Sequence, residues 1–371
     1  MAVPFRTLCL VIVAASALHW NAVRSAEESK PPTKAAEKVA PRTLEEQIVA
    51  LENALAEGIV QRDWKMLELA ASGLKAAGLT GKDLEISILR SERGASWSSS
   101  AYMQQARLEC WGLIARVLAG DTGARKLLDG YADANPEPVR VPAAPAGFQK
   151  SGDDQKAYQR AMADYQKYTL RLQQRDEALL VLALMKASGV SERIKLALGR
   201  PRLQSAYYTY SNPLVSACLI ADKDKGLQTL LEYAADEEGS IGEQLGVLSA
   251  LQTLLVLRGQ ETAFSVDHDA AAVLPENTAA QLGKPASALI ARYAKIEHKE
   301  TDGTLNALIN FAHRLPPNAL TKDAAQDLSD LRFKLSPHMQ QWMKPQIDEI
   351  LKKNGVDPNT AAKPPAPPGD F

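Results

Sequence analysis

The densest run of ligand-type side chains in this sequence is Asp267-His268-Asp269, two carboxylates flanking an imidazole. A zinc ion needs three or four converging ligands, and adjacent side chains on a loop do not converge unaided. The run therefore reads as a solvated loop. Asp236-Glu237-Glu238 reads as a solvated helix end, its carboxylates opposing the helix dipole there. Cys110 and Cys218 stand far apart without the spacing of a metal site. In an oxidising compartment they are able to bridge; the alternative is two small buried hydrophobes on helices. His268, His298, His313 and His338 are widely separated. No nucleophile elbow, phosphate-binding glycine loop, H-E-x-x-H or C-x-x-C is present. The sequence offers no catalytic residues, no metal site and no cofactor site, and the enzyme question leans towards no.

The stretch that could recognise something is 200–213, which holds Arg200, Arg202, Tyr207, Tyr208, Tyr210 and Asn212. Tyrosine and arginine concentrate at binding hot spots, and tyrosines also stack on sugar rings and peptide groups. The competing reading is a connector whose tyrosines cover apolar helix ends. Trp97, in the Ser-rich run 91–100, is a second candidate anchor, or a staple dipping into the core.

The elements that must position these residues read as helices almost throughout. Thr43 and Glu46 make a capping box, followed by Leu44, Ile48, Leu51, Leu55 and Ile59 at helical spacing. Asp63 caps a second helix carrying Trp64, Leu67, Ala71 and Leu74 and ending near Gly78, so the pair forms an antiparallel hairpin. Leu84, Ile86 and Ile88 alternate with polar residues, which allows a short strand; 91–100 reads as a loop. Helix returns with Leu108, Trp111, Ala115 and Leu118, and again after Gly120-Asp121.

Prolines 136, 138, 142 and 145 make 134–152 the longest internal break. A long helix then runs from Asp153 or Asp154 towards Gly189. It is polar in its first half, with Tyr158, Tyr165 and Leu172 seven apart, and apolar all round from Ala178 to Met185. Further helices are predicted near 190–199, 213–222, 225–236, 241–259, 285–298, 303–314, 321–333 and 336–354. The last has an apolar face of Met339, Trp342, Met343, Ile347, Ile350 and Leu351, and Pro345 is expected to kink or split it.

Residues 119–135 align with 222–238. Identical pairs are Asp121/Asp224, Gly123/Gly226, Leu127/Leu230, Leu128/Leu231, Ala132/Ala235 and Asp133/Asp236. Each segment follows an apolar helix. The unit resembles the HEAT-like α-helical repeats over 108–135 and 213–238, although no proline lies inside 108–118 and the intervals are irregular. The resemblance implies that the turn Asp caps the second helix, that the Leu pair faces the core, and that stacked helix pairs present a surface for a partner protein.

Composition agrees with an all-α chain. Of 371 residues 46% are hydrophobic, enough for a sizeable core, while only 6% are aromatic, thin for a β-sandwich. A net charge of -1 argues against a nucleic-acid binder held by a basic surface. Residues 1–25 carry no acid, a basic Arg6 and an apolar run from Leu8 to Trp20, the pattern of an export signal cleaved after Ser25, or of an uncleaved anchor. Cleavage takes away Arg6 and Arg24 and changes the charge from -1 to -3.

The expected organisation is a signal (1–25), a disordered linker (26–42), an N-terminal helical part (43–133), the Pro-rich break (134–152), a C-terminal helical-repeat part (153–355) and a disordered Pro-rich tail (356–371). The fold class is all-α, an irregular antiparallel helix-pair array of α-solenoid type. The function expected is an exported, periplasmic or secreted, non-catalytic adaptor or scaffold. It would bind a protein partner in the envelope or extracellular space, without nucleic acid and without stable membrane insertion after cleavage. The second expectation is a helical carbohydrate- or peptidoglycan-active or -binding protein using dispersed carboxylates and aromatics.

Overall fold

A computed structural model describes residues 43–96, 102–137, 139, 152–199, 213–258, 266–295, 303–334 and 337–358. Among these residues the secondary structure is helical, without strands. Among the described residues no helix is long and apolar enough to cross a membrane. The helices gather into two compact units. The first takes the described residues up to Ala134, together with Thr169–Val181 and Val266; the second takes those of Asn135–Tyr168, Leu182–Ala263 and Asp267–Phe371.

In the first unit, α1 (Leu44–Gln61) begins at the Thr43 capping box. The Thr43 hydroxyl accepts from Glu46 N–H at 3.2 Å and the Glu46 carboxylate accepts from Thr43 N–H at 2.7 Å. Asp63 caps α2 (Trp64–Ala76) by accepting from Met66 N–H. Each such cap stabilises its helix by roughly 1 kcal/mol. The two helices form the expected hairpin. Leu55, Ile59, Leu67 and Leu74 are fully enclosed, each burial contributing about 1.5–3 kcal/mol. Next come α3 (Gly81–Ser96), α4 (Tyr102–Ala119) and α5 (Thr122–Ala132). α3 packs on α1, and α4 on α2, α3 and α5.

The strand suggested at 84–88 is instead the middle of α3. Leu84, Ile88 and Ser91 are buried at helical spacing, and Ile86, the middle residue of the alternation, is exposed. Three alternating residues satisfy either period; the burial at 84, 88 and 91 is helical. The loop expected at 91–100 is likewise helical as far as Ser96.

The long helix α6 (Gly152–Leu184) gives Thr169–Val181 to the first unit. Of the run Ala178–Met185 expected to be buried, Ala178–Ala183 is buried on all sides, while Leu184, the last residue of the helix, and Met185 are half-buried. The burial begins earlier than expected, however: Arg175, Asp176 and Glu177 are enclosed as well.

The second unit contains α7 (Val190–Leu198), α8 (Pro213–Ala221), α9 (Gly226–Ala235), α10 (Ile241–Arg258), most of α11 (Val266–Val273), α12 (Thr278–Gln281), α13 (Gly283–Ala294), α14 (Gly303–His313), α15 (Lys322–Leu331) and α16 (Pro337–Lys353). α7 to α10 pack in sequence, α13 covers α9 and α10, α15 packs on α13, and α16 lies against α14 and α15. Gly226 lets α9 close tightly on α8, since a Cβ there would come within 2.5 Å of the Cys218 carbonyl oxygen. Pro345 sits inside one continuous helix and does not split it. Trp342, expected on the apolar face of α16, is 60% exposed, whereas Met343, Ile347, Ile350 and Leu351 are buried.

The two aligned segments differ in detail. Asp121 caps α5 by accepting from Ala124 N–H at 3.0 Å and pairs with Arg116. Its aligned residue, Asp224, lies one position before the N-cap of α9, Lys225; there the Asp222 carboxylate accepts from Lys225 N–H at 3.1 Å. In α5 the buried residues are Ala124, Leu128 and Ala132; in α9 they are Gly226, Leu227, Leu230 and Ala234. Leu127 is 50% exposed while its aligned residue Leu230 is enclosed. The register of identity is thus one residue out from the register of burial.

Candidate functional site

Arg200, Arg202, Tyr207, Tyr208, Tyr210 and Trp97 all lie outside the described residues. The structure does describe what bounds the 200–212 stretch. α7 ends at Leu198, α8 begins at Pro213, and these two helices pack directly against each other. Connections between packed neighbouring helices ordinarily take about 2–8 residues. The thirteen residues 200–212 exceed what joining α7 to α8 requires.

Asp267-His268-Asp269 is not a loop but the first turn of α11, and the Asp267 carboxylate accepts from the Ser216 hydroxyl at 3.0 Å. Acidic residues suit a helix start, which accounts for the run without an ion. Among the described residues no group of three or more His, Cys, Asp or Glu side chains gathers to hold a metal. In the 236–238 run, Asp236 ends α9 and its carboxylate accepts from Glu238 N–H at 3.1 Å. Arg292 on α13 donates to the carbonyls of Asp236 (2.7 Å) and Gly239 (2.6 Å) and to the Gln244 side chain (2.8 Å). Gln244, itself enclosed, donates to the carbonyls of Tyr233 and Asp236. This turn is clasped through its backbone.

The strongest concentration of buried charge lies in the first unit and involves residues that the sequence did not single out. Arg62 is the C-cap of α1, with φ of 56° and a side chain only 3% exposed. Its Nε stands 3.5 Å from Glu177 Oε2, and its guanidinium lies 5.9 Å from the centre of the Trp111 ring. The same Oε2 accepts from Trp111 Nε1 at 3.1 Å, while Arg107 Nε faces Glu177 Oε1 at 3.7 Å. One carboxylate therefore sits among two guanidinium groups and an indole N–H. Beside it Arg175 pairs with Asp176 at 3.2 Å. The Arg62 carbonyl accepts from Val266 N–H at 3.1 Å. Chemically the cluster is a lock: it joins α1, α4 and the enclosed part of α6, and its carboxylate is neutralised from within. The sequence signal, faint as it was, is a charged triplet directly before an all-apolar run.

Cys110 and Cys218 are each a free, buried thiol. Cys110 donates to the Gln174 carbonyl (3.4 Å) and Cys218 to the Gly226 carbonyl (3.5 Å). Burial pushes the Cys110 thiol well up, with Glu177 and Glu109 adding to it. Burial, with help from Asp222, pushes Cys218 up to about 12. Neither supplies a thiolate near neutral pH. A second ionic centre joins α14 to α16: Glu349 lies 2.8 Å from His313 Nε2 and 2.7 Å from Lys353 Nζ, which also donates to the His313 carbonyl. These partners, Lys353 foremost, lower the Glu349 carboxyl to about 2.

No family model, curated protein or solved structure matches the chain.

Proposed function

We propose that this chain is an exported, non-catalytic helical protein of repeat type that binds another protein of the envelope or extracellular space, with 200–213 as its contact segment. The observation that carries the reading is the long connection between α7 and α8. Two helices already packed together are joined by more chain than closure needs, and that chain is rich in Tyr and Arg, the side chains of binding hot spots. The buried Glu177 carboxylate and the Arg292–Gln244 clasp support it from the other side, because each holds helices or turns together. The export element of the reading rests on the pattern of residues 1–25.

The test is capture from native cell-envelope extract using residues 26–371, beside a Tyr207→Ala/Tyr208→Ala variant. One stoichiometric protein retained by the parent and lost by the variant is the expected result. A folded chain that retains nothing counts against the adaptor reading, and a glycan screen then tests the carbohydrate-binding alternative.

A further inference from the structure

The end of α16 closes on the connector between α14 and α15 through one side chain. Asn354 directly follows the helix and is only 6% exposed. Its Oδ1 accepts from Leu320 N–H at 3.0 Å, and its Nδ2 donates to the Ile350 carbonyl at 2.8 Å. Beside it Asn318 N–H donates to the Lys353 carbonyl at 2.9 Å, and Thr321 N–H donates to the Ser287 hydroxyl of α13 at 3.1 Å. Asn354 is also the one asparagine of the sequence that precedes a glycine. We propose that Asn354 is a site of covalent modification: when this joint opens, its side-chain amide converts to a carboxylate, and the product keeps the joint from closing.

The chemistry needs only water. The Gly355 backbone nitrogen attacks Asn354 Cγ and gives up its proton. The side-chain nitrogen takes up a proton and leaves as ammonia, and a five-membered succinimide forms. Water then opens the ring at either carbonyl. One opening restores the ordinary backbone with an aspartate. The other gives isoaspartate, whose backbone runs through Cγ and gains a methylene. Glycine in second place favours the attack because no side chain crowds the nitrogen.

The closed joint ties up the groups that must react. Gly355 N–H donates to the Lys352 carbonyl at 3.2 Å, and the Asn354 amide is held at both ends. Modification therefore waits on local opening. Afterwards the Ile350 carbonyl faces an oxygen in place of its donor, and a charge occupies an enclosed position; both are costly. Isoaspartate also displaces the left-handed turn at Gly355 (φ 71°), after which Val356 N–H donates to the Leu351 carbonyl at 2.9 Å.

The test follows Asn354 in the full chain by peptide-map mass spectrometry, in buffer and in rising urea. Conversion is expected to run at least about a hundredfold slower in the folded chain than in full denaturant. Below the unfolding transition it stays nearly flat in urea, the mark of a local opening. Ser287→Ala, which removes one tie of the connector, speeds it about two- to tenfold, the worth of one hydrogen bond. Asn354→Asp supplies the carboxylate directly and speeds hydrogen exchange of the Leu320 amide by about tenfold. Conversion as fast folded as unfolded overturns the proposal, as does a rate that tracks global unfolding at every urea concentration. So does a rate unmoved by Ser287→Ala, or a Leu320 amide equally protected in the parent and in Asn354→Asp. The rate measurements keep asparagine at 354, so they decide the matter even where Asn354→Asp does not fold.

Discussion

Replacing Glu177 tests whether the buried lock of the first unit holds it together. At 3.5 Å from Arg62 and 3.7 Å from Arg107, each attraction amounts to roughly 5 kcal/mol gross at an effective dielectric of about 20. Desolvation of the charges offsets most of that. Removing one partner is a different matter, because the desolvation cost of the other stays behind. Glu177→Ala takes away the carboxylate shared by Arg62, only 3% exposed, and Arg107, about a third exposed and so able to hydrate. It also takes the acceptor from Trp111 Nε1.

The expected loss is about 3–5 kcal/mol. Glu177→Gln loses less, since its amide oxygen still accepts from the indole and retains about 1 kcal/mol. Arg62→Met combined with Glu177→Met recovers most of the loss, leaving a large coupling energy in the double-mutant cycle. Urea titration followed by circular dichroism and by indole fluorescence reads these variants together with the single Arg62→Met and Glu177→Met chains that close the cycle. A Glu177→Ala loss under about 1 kcal/mol, or single losses that simply add in the double variant, refutes the reasoning.

Four further outcomes are expected. Leu128→Ala costs about 2–5 kcal/mol and Leu127→Ala within about 0.5 kcal/mol by thermal unfolding, since the first is enclosed and the second half exposed. In the aligned segment it is Leu230, enclosed, whose truncation is costly. Gly226→Ala destabilises by about 1–3 kcal/mol because its methyl meets backbone that cannot swing aside, and Gly283→Ala does the same against the Ala319 carbonyl. The Glu349 carboxyl is depressed in the folded state to about 2, so its contribution is present above the ordinary glutamate range and is lost as pH falls through that value; Glu349→Gln flattens the acid limb of the stability curve. Cys110 and Cys218 resist iodoacetamide at pH 8 in the folded chain and react only in denaturant, as mass spectrometry reports.

How much of this was legible in the sequence depends on how local each determinant is. The hairpin of α1 and α2 was readable because Thr43, Glu46 and Asp63 act within three residues of themselves. Of the apolar run 178–185, the burial of 178–183 was readable because an all-round apolar helix has nowhere else to go; the last two residues, at and beyond the helix end, are half-buried. Leu84, Ile86 and Ile88 misled because three residues are too few to separate a period of two from one of 3.6. Asp267-His268-Asp269 misled because charge was taken for a loop when it marked a helix start.

The HEAT-like alignment matched letters rather than positions. Leu127 and Leu230 are identical residues on opposite sides of the burial boundary, because each helix turns the face that its own neighbours cover. The proposed contact stretch 200–213 stays a sequence argument, strengthened only by the packing of the helices on either side of it.

The lock shows most clearly what composition and periodicity leave out. In the sequence Arg62 is a short-turn residue and Glu177 the last charge before an apolar run. Each is costly to bury alone. They become tenable together, with Trp111 between them, only once the end of α1, the middle of α4 and the enclosed stretch of α6 meet. A charge beside an apolar run is therefore a question that the local sequence poses and a distant segment answers. Here the answer was a single arginine in the two-residue turn between the first two helices.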